Sequence, residues 1–377
     1  MNLLALDTET TIYNKGNPYD SRNKLVCWSY ANEIATGLYK DAVLWDGATS
    51  LQYMVDNNDL IIGFNFKFDY HWLAKNGVEL SHKTIWDVQI AEFILSHQTH
   101  KLPSLNETCE RYNIPQKLDV VKTEYWDKGV QTDMVPWQVL REYAAHDAFV
   151  TLQCYHAQIK LMSPQQKRLC QLMCMDLHVL REMEATGLPF DEQLCAKRAQ
   201  EVDERISKIK TQLTAIYPNV PINFGSGDHL SAFLYGGTVK EDGKEHVGFY
   251  KSGDKKGEPK YKNIVIEHVL PRLYTPLKGS ELQKEGMFAT DEGTLRKLKG
   301  KKSVVTLLLE LSKLEKLNGT YYKGLVKLRE EMHWPEGILH GQFNQTIAGT
   351  GRLSSSKPNL QNFASELQDI FVSRYTD

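Results

Sequence analysis

The residues best suited to chemistry are two carboxylates, Asp7 and Glu9, which follow the apolar run at residues 2–6 (NLLAL). On a strand, residues two apart point to the same face, with Cα atoms roughly 6.5 Å apart. Two buried carboxylates at that spacing repel each other unless a cation lies between them. Hard divalent ions such as Mg²⁺ or Mn²⁺ prefer carboxylate oxygens as ligands. The alternative is that Asp7 and Glu9 are solvated turn residues.

Two further acidic residues lie in patterned segments. Asp69 ends the sequence GFNFKFD, in which Asn65 is expected at a helix start. Taken alone, Asn65 could cap that helix and Asp69 could complement its dipole. Asp147 follows Tyr143 by four residues in an apolar-periodic segment, so both side chains would share one helix face. Each pair by itself is compatible with a purely structural role.

In this order, Asp-x-Glu, Asn-x₃-Asp and Tyr-x₃-Asp resemble the three exonuclease motifs of the DEDD superfamily, in its tyrosine branch. The histidine branch would have histidine at position 142, where this chain has Glu142. The resemblance implies an RNase H-like fold and two Mg²⁺ (or Mn²⁺) ions. The implied metal ligands are Asp7, Glu9, Asp69 and Asp147. Tyr143 would orient the attacking water, and Asn65 would contact the substrate strand.

The resemblance also implies a reaction. Water activated by a metal ion would attack the last phosphodiester in line and release a nucleoside 5′-monophosphate from a 3′ end. Two ions suit this chemistry, because one generates the nucleophile at neutral pH and the other stabilises the leaving oxyanion. The expected activity is therefore that of a 3′–5′ proofreading exonuclease acting on single-stranded DNA 3′ ends.

The second half of the chain resembles family A DNA polymerases, the bacterial polymerase I group and its phage relatives. The segments that carry this resemblance are Met183–Asp191, Ile222–Leu230, Leu311–Leu325 and Thr350–Asn362 (TGRLSSSKPNLQN). It implies that Arg352 reaches the DNA minor groove near the primer terminus. It also implies that the primer–template duplex is lined by Asn359, Gln361 and Asn362. The alternative is a polar loop with one exposed arginine.

The elements that must position these residues follow from hydrophobic patterning. Strands are predicted at residues 2–6, 25–30, 42–45 and 60–64, and helices near 66–75, 88–95, 104–112 and 137–161. Alternating strands and helices predict an α/β domain with a mixed sheet flanked by helices. Ser163, Pro164 and Gln166 form a predicted capping box that opens a helix ending at Gly187. A long apolar seam at residues 304–332 is broken only at Asn318.

These elements suggest three domains: an RNase H-like exonuclease at residues 1–162, a mostly helical polymerase thumb at 163–332, and an incomplete palm at 333–377. Polymerase motifs A, B and C are absent from the sequence. The chain is therefore expected to be either an engineered or proteolytic fragment, or one part of a naturally split polymerase whose palm and fingers are carried by a second polypeptide. An unpaired palm edge would favour such a partner.

The thumb contains a Gly/Lys-rich insertion at 236–302 with 15 basic and 10 acidic residues, or +5. It could recruit a processivity factor, contact DNA directly or form a solvated hairpin.

Composition limits the protein class. The 377 residues carry 45 basic and 47 acidic side chains, and 41% are apolar, as in ordinary globular proteins. Residues 1–180 have 16 basic and 21 acidic side chains (−5), whereas 181–377 have 29 and 26 (+3). No apolar run reaches the roughly 18 residues of a membrane span. Six cysteines without a CxxC pair favour a reducing compartment. A cytoplasmic location is expected, the host cytoplasm for a phage protein.

The leading hypothesis is therefore a two-metal 3′–5′ exonuclease joined to part of a family A DNA polymerase. One alternative is a non-catalytic DNA-holding or assembly subunit of a split polymerase, which would have lost activity while keeping every metal ligand. Another is a stand-alone RNA-processing exonuclease, against which the TGRLSSSKPNLQN segment argues.

Overall fold

The computed structural model describes residues 1–298 and 302–373. Residues 299–301 of the predicted insertion and 374–377 of the predicted palm lie outside this description. The chain forms two compact units: Met1–Glu192 with Leu325–Asp377, and Gln193–Gly324. These units differ from the predicted domains, because the helix after Ser163 and the segment after residue 325 pack within the first unit. The three functional domains stay a prediction.

A five-stranded mixed sheet organises the first unit, in the order β3-β2-β1-β4-β5. Its strands are β1 (Leu3–Thr10), β2 (Leu25–Ile34), β3 (Gly37–Leu44), β4 (Leu60–Gly63) and β5 (Thr84–Asp87). β1 is antiparallel to β2 and parallel to β4, and β4 is parallel to β5. The predicted α/β class with a mixed sheet is confirmed. β1 continues through Asp7 and Glu9 to Thr10, so these carboxylates lie on a strand and not in a turn.

Helices flank this sheet. They are α1 (Ala48–Asp56), α2 (Lys67–Lys75), α3 (Val88–Leu95), α4 (Leu105–Arg111), α5 (Val120–Glu124), α6 (Trp137–Leu161) and α7 (Pro164–Thr186). The bounds of α3 and α6 are those predicted, whereas α1, α5 and β5 were missed. α6 packs against β1, β2 and β3. Its inner face and the apolar residues of β1 and β4 are buried, and Leu4 and Ile61 are fully so.

The start of α7 shows why local sequence signals succeed. The Ser163 side chain accepts from the Gln166 backbone N–H, while the Gln166 side chain accepts from the Ser163 N–H. Two of the unpaired donors at the helix start are thereby satisfied. The helix ends at Gly187, whose φ of +65° suits glycine, and a Cβ there would lie 2.9 Å from the Leu339 carbonyl oxygen. The predicted capping box and helix end are confirmed.

The C-terminal part of the first unit consists of short elements. They are α12 (Lys323–Glu331), β9 (Ile338–Leu339), β10 (Gln342–Asn344) and β11 (Ser354–Ser356). β9 pairs with β6 (Leu188–Pro189), and β10 pairs with β11. The loop between β10 and β11 therefore presents the Thr-Gly-Arg sequence that ends at Arg352.

The second unit contains helices and one long hairpin. Its elements are α8 (Glu192–Thr214), α9 (Gly227–Tyr235), β7 (Gly237–Phe249), β8 (Pro259–Leu270), α10 (Glu292–Lys297) and α11 (Lys302–Lys316). A π-helical turn, Leu317–Tyr322, connects α11 to α12. This turn contains the buried Asn318, whose side chain donates to Asp203 Oδ1 at 2.7 Å. An extra residue per turn shifts the helical register, which explains the break in the apolar seam.

No helix in the described parts of the chain has the length and apolar character needed to cross a lipid bilayer.

Candidate active site at the end of the first strand

Three acidic side chains converge at the end of β1. Asp7 and Glu9 project from alternate positions of the strand, and α6 brings Asp147 against them. One carboxylate oxygen from each of the three lies within 4.8 Å of the others. Glu9 and Asp147 are buried. The strand and the helix thus assemble, from distant parts of the sequence, the cluster that the motifs predict.

Asp69 lies beside this cluster in the first turn of α2. Its Oδ1 atom accepts from the backbone N–H of Thr8 at 2.9 Å and from the Thr8 hydroxyl at 2.6 Å. Thr8 separates Asp7 from Glu9 in the sequence, so this contact ties α2 directly to β1. Both Thr8 hydrogen bonds end on Oδ1 of Asp69, so they orient this side chain and do not use its Oδ2 atom.

Burial makes the cluster bind protons unusually well. It raises the pKa of Glu9 to about 8, with a further contribution from the nearby Asp147 charge. Burial also raises the pKa of Asp69 to about 7, although the Thr8 hydrogen bonds oppose it. The pKa of Asp7 lies well above its usual range because of burial and the charges of Asp69 and Glu9. Without a compensating cation, burial and the mutual repulsion of these carboxylates therefore favour their protonated forms.

Lys117 supplies one compensating charge that the sequence motifs do not reveal. Its Nζ donates to Asp147 Oδ2 at 2.7 Å and lies 5.0 Å from the centroid of the Tyr143 ring. Although burial alone would lower it, the Asp147 charge and hydrogen bond raise the pKa of Lys117. The lysine precedes α5 in an irregular segment, where no periodicity or spacing marks it as part of the site.

Tyr143 lies one turn before Asp147 on the same face of α6, as predicted. Its ring is buried and packs edge-on against Trp126, with centroids 5.7 Å apart. Burial and the charges of Glu9 and Asp147 raise the pKa of the Tyr143 hydroxyl far above neutrality. The hydroxyl therefore stays protonated and can exchange hydrogen bonds beside the carboxylates.

Asn65 is exposed in the loop before α2, with a left-handed φ of +52°. The alternative of a helix cap is not observed, because α2 begins at Lys67 and the Asn65 side chain makes no capping hydrogen bond. Instead the loop is held by Asp87, whose two carboxylate oxygens accept from the N–H groups of Asn65 and Phe66 at 3.2 and 2.8 Å. Asp87 also caps α3 through the Gln89 N–H. In the described part of the chain, the exposed Asn65 side chain forms no hydrogen bond.

The four predicted duplex-binding residues lie on a different element, between β10 and the turn at Leu360–Asn362. Arg352 is exposed. The Asn359 side chain accepts from the Gln361 N–H at 3.1 Å, and the Gln361 side chain donates to the Leu353 carbonyl at 3.1 Å. Asn359 and Gln361 therefore shape this turn, and Asn362 belongs to it as well. All four residues are exposed, and Arg352 carries the positive charge among them.

The donor set of the carboxylate cluster fits a divalent cation. The Oδ1 atom of Asp147 is buried and has no hydrogen-bond partner within residues 1–298 and 302–373. A buried acceptor without a donor is costly, and a metal ion at the cluster would satisfy it. Carboxylate oxygens are the ligands that Mg²⁺ and Mn²⁺ favour. The residues brought together here are therefore suited to hold such ions.

The raised pKa values predict a specific effect of Glu9→Gln. Glu9 carries a pKa of about 8 in the folded chain, against an ordinary value of about 4.3 when unfolded. The contribution of Glu9 to the free energy of unfolding is thus complete below about pH 4 and is lost as the pH rises toward 8. We expect the metal-free Glu9→Gln variant to gain thermal stability relative to wild type between pH 5.5 and pH 8, measured by thermal unfolding in EDTA.

Mg²⁺ provides the control for that measurement. At 100 times its dissociation constant, a bound ion should stabilise the wild-type chain by about 2.7 kcal/mol, and Glu9→Gln should receive much less. If Mg²⁺ raised the unfolding temperature of both proteins equally, Glu9 would be excluded from the metal site.

Comparison with known proteins supports the exonuclease and polymerase resemblances. Residues 1–162 match the model of the 3′-5′ exonuclease family, and residues 262–374 match that of DNA polymerase family A. DNA polymerase I of Synechocystis sp. is 29% identical over 309 residues, covering 79% of this chain and 26% of that protein. A DNA polymerase of Bacillus phage SP01 is 24% identical over 357 residues, covering 87% and 38% respectively. The chain thus spans about a quarter to two fifths of these relatives.

The fold is also shared with a solved polymerase structure. It is similar to the POL domain of Pol1 from M. smegmatis, solved in complex with DNA primer-template and dNTP, with a TM-score of 0.66 and 19% sequence identity. That similarity covers 98% of this chain and 54% of the other.

Proposed function

The chain combines a 3′-5′ exonuclease domain with part of a family A DNA polymerase domain, and from this premise we propose that it is a two-metal-ion proofreading exonuclease. It removes nucleoside 5′-monophosphates from DNA 3′ ends within a replicative polymerase. The observation that carries this proposal is the convergence of Asp7, Glu9 and Asp147 within 4.8 Å. Asp69, tied to the same strand through Thr8, completes the ligand set.

Each residue of the site has a proposed role. The four carboxylates would hold two Mg²⁺ or Mn²⁺ ions, and such ions would supply activation of water and stabilisation of negative charge on phosphate oxygens. The protonated Tyr143 hydroxyl orients the water that attacks the terminal phosphorus atom, and Asn65 contacts the substrate strand. Attack forms a new P–O bond and breaks the bond to the preceding 3′ oxygen, which takes up a proton. The products are a nucleoside 5′-monophosphate and a strand shortened by one nucleotide.

Hydrolysis of a 3′-labelled single-stranded DNA by the full chain tests this proposal directly. We expect mononucleotide release in Mg²⁺ and in Mn²⁺ but not in EDTA, and slower release from RNA of the same sequence. A chain that binds DNA but releases nothing with either metal would support the DNA-holding or assembly subunit instead. Faster hydrolysis of RNA would support the RNA-processing alternative.

DNA synthesis would require parts of a polymerase that this chain does not match. The proposed source is a second polypeptide that carries palm and fingers. In this arrangement the segment from β10 to Leu360–Asn362 holds the primer–template duplex. Copurification of such a polypeptide from the native source tests the proposal, and primer extension by the isolated chain would contradict it.

Arg352→Ala should separate duplex binding from hydrolysis. Because Arg352 is exposed on the β10–β11 loop and not at the carboxylate cluster, we expect the variant to bind primer–template more weakly by about 1–2 kcal/mol, roughly 5- to 30-fold in Kd. Its hydrolysis of single strands should be unchanged. Fluorescence anisotropy and the nuclease assay measure the two quantities. Arg168→Ala, at another exposed arginine of the first unit, is the matched control, and equal losses on both substrates would refute the assignment.

A further inference from the structure

The peptide unit that joins Gln116 to Lys117 is held from two sides. Its carbonyl oxygen accepts a hydrogen bond from Nε2 of His146 on α6 at 2.8 Å. Its N–H group donates to Oδ1 of Asn106 on α4 at 3.0 Å. The unit lies between α4 and α5, where the chain forms no helix or strand, so two side chains hold it in place of a regular element. They fix the backbone from which the Lys117 side chain leaves.

His146 has the hydrogen-bonding capacity that this position needs. A ring nitrogen that faces a carbonyl oxygen must donate, which places the proton on Nε2. The other nitrogen, Nδ1, lies 3.4 Å from Nζ of Lys40, a group that can only donate. Since successive residues of a helix are about 100° apart, the His146 ring does not point along the Asp147 side chain. His146 can therefore influence the carboxylate cluster through the peptide unit before Lys117.

The Asp147 carboxylate uses its two oxygens differently. Oδ2 accepts from Lys117 Nζ at 2.7 Å, whereas Oδ1 is buried and has no hydrogen-bond partner in the described part of the chain. Asp69 shows the same division, because both Thr8 hydrogen bonds end on its Oδ1 atom. Holding one oxygen of a carboxylate fixes the direction of the other, and metal-binding carboxylates are commonly oriented by such hydrogen bonds. In both acids, one oxygen is thus held by the protein.

The pair of Lys117 and Asp147 is placed for orientation more than for neutralisation or stability. The cluster contains four acids, whereas Lys117 forms an ion pair with Asp147 alone among the described residues. Its ammonium group also lies over the Tyr143 ring, 5.0 Å from the centroid, which confines it further. A buried ion pair adds little to the free energy of folding, because the desolvation of both charges offsets their attraction. The specific contact with one oxygen is therefore the feature to be explained.

We propose that Lys117 is a positioning residue of the metal site, which holds Oδ2 of Asp147 so that Oδ1 stays available to a divalent ion. His146 and Asn106 serve the same purpose one step further away, by holding the peptide unit that carries Lys117. This inference rests on the proposed function, because it takes the carboxylate cluster to bind metal ions. Lys117 contacts neither the ion nor the substrate in this arrangement.

Lys117→Met tests the proposal in the full chain, because methionine fills similar space without a charge or a donor. We expect its dissociation constant for Mg²⁺ to rise about 10- to 100-fold, the loss typical when a group that orients a metal ligand is removed. Calorimetry measures Mg²⁺ binding, and circular dichroism in EDTA checks folding. Lys122→Met, at an exposed lysine of α5 that pairs with Asp127, is the matched control and should bind Mg²⁺ as wild type does. Unchanged or tighter binding by Lys117→Met would overturn the inference, because a lysine that only neutralises charge competes with the ion.

Lys117→Arg separates orientation from charge. Arginine keeps the positive charge, but its planar guanidinium group can donate to both oxygens of a carboxylate. We therefore expect Lys117→Arg to keep the melting temperature of wild type in EDTA. Its dissociation constant for Mg²⁺ should rise about 10-fold, because Oδ1 of Asp147 is then engaged. Wild-type affinity for Mg²⁺ in this variant would show that a positive charge suffices and would contradict the orienting role.

His146→Ala tests the second part of the proposal, because it removes the hydrogen bond to Gln116 and leaves Lys117 and Asp147 in place. Its affinity for Mg²⁺ should fall, by less than that of Lys117→Met, and wild-type affinity would exclude His146 from the positioning. If wild type bound no Mg²⁺, or if Asp7→Ala bound it equally well, the proposed function itself would fail and this inference with it. Mg²⁺ binding that is lost in Asp7→Ala but kept in Lys117→Met would refute only the role of Lys117.

Discussion

Asp7→Ala is expected to lower the rate of 3′-end hydrolysis by on the order of 10³-fold or more, while duplex affinity stays within a few-fold of wild type. Asp7 lies on β1 within the group whose oxygens all lie within 4.8 Å of one another, so its loss removes one of the proposed metal ligands. Rates are measured on a 3′-labelled single strand in saturating Mg²⁺, and duplex affinity is measured in EDTA.

Folding and metal binding distinguish this loss from a structural defect. Burial and the charges of Asp69 and Glu9 disfavour the charged form of the Asp7 carboxyl group. Removing this group should therefore not lower the melting temperature of the metal-free protein at pH 8. Calorimetry should show weaker Mg²⁺ binding. Asp46→Ala, at an exposed carboxylate of the same domain, should match wild type in melting temperature and in Mg²⁺ binding. Metal-dependent hydrolysis at the wild-type rate in Asp7→Ala would remove Asp7 from the ligand set.

Glu184→Ala is expected to have the largest effect on stability, about 3–5 kcal/mol, because it breaks a buried ion pair and leaves its partners unpaired. The Glu184 carboxylate is 4% exposed and accepts from Lys67 Nζ, from His71 Nε2 at 2.7 Å and from the Phe343 N–H at 2.6 Å. It thereby joins α7, α2 and β10. Lys67 also donates to the Phe343 carbonyl. Chemical denaturation of the metal-free protein measures the effect.

The Glu184 carboxylate also makes the free energy of unfolding depend on pH in the acidic range. Although burial acts in the opposite direction, the His71 hydrogen bond and the Lys67 charge hold the pKa of Glu184 below its usual range. Its contribution is therefore present above about pH 4.5 and is lost as the pH falls further. The free energy of unfolding of Glu184→Gln should accordingly be closest to that of wild type at low pH. We also expect slower hydrolysis in Glu184→Ala, because α2 carries Asp69.

Glu182→Ala is the matched control for this variant. Glu182 lies two residues earlier on α7, is 66% exposed and contacts only its neighbour Arg181 among the ion pairs of the described chain. A surface pair of this kind contributes about 0–1 kcal/mol. If both variants unfold at the same denaturant concentration, the Glu184 network does not hold these elements together.

Local signals in the sequence were sufficient for much of the fold. The apolar period of α6, the capping box at Ser163 and the glycine at position 187 act over one or two helical turns, and the structure follows them. The motif order also pointed to Asp7, Glu9 and Asp147, which the structure brings together. The order of strand and helix signals predicted a mixed sheet for the same reason, because each signal depends only on neighbouring residues.

Other features depend on contacts between residues far apart in the chain, which no local pattern encodes. Lys117 reaches Asp147 across 30 positions, Asp69 reaches Thr8 across 61, and Glu184 reaches Phe343 across 159. The sequence by itself determined which residues could bind metal ions and on which elements they lie. Only the tertiary structure decided that burial would raise their pKa values and which lysine would compensate them, because desolvation and charge interactions depend on distances in the folded chain.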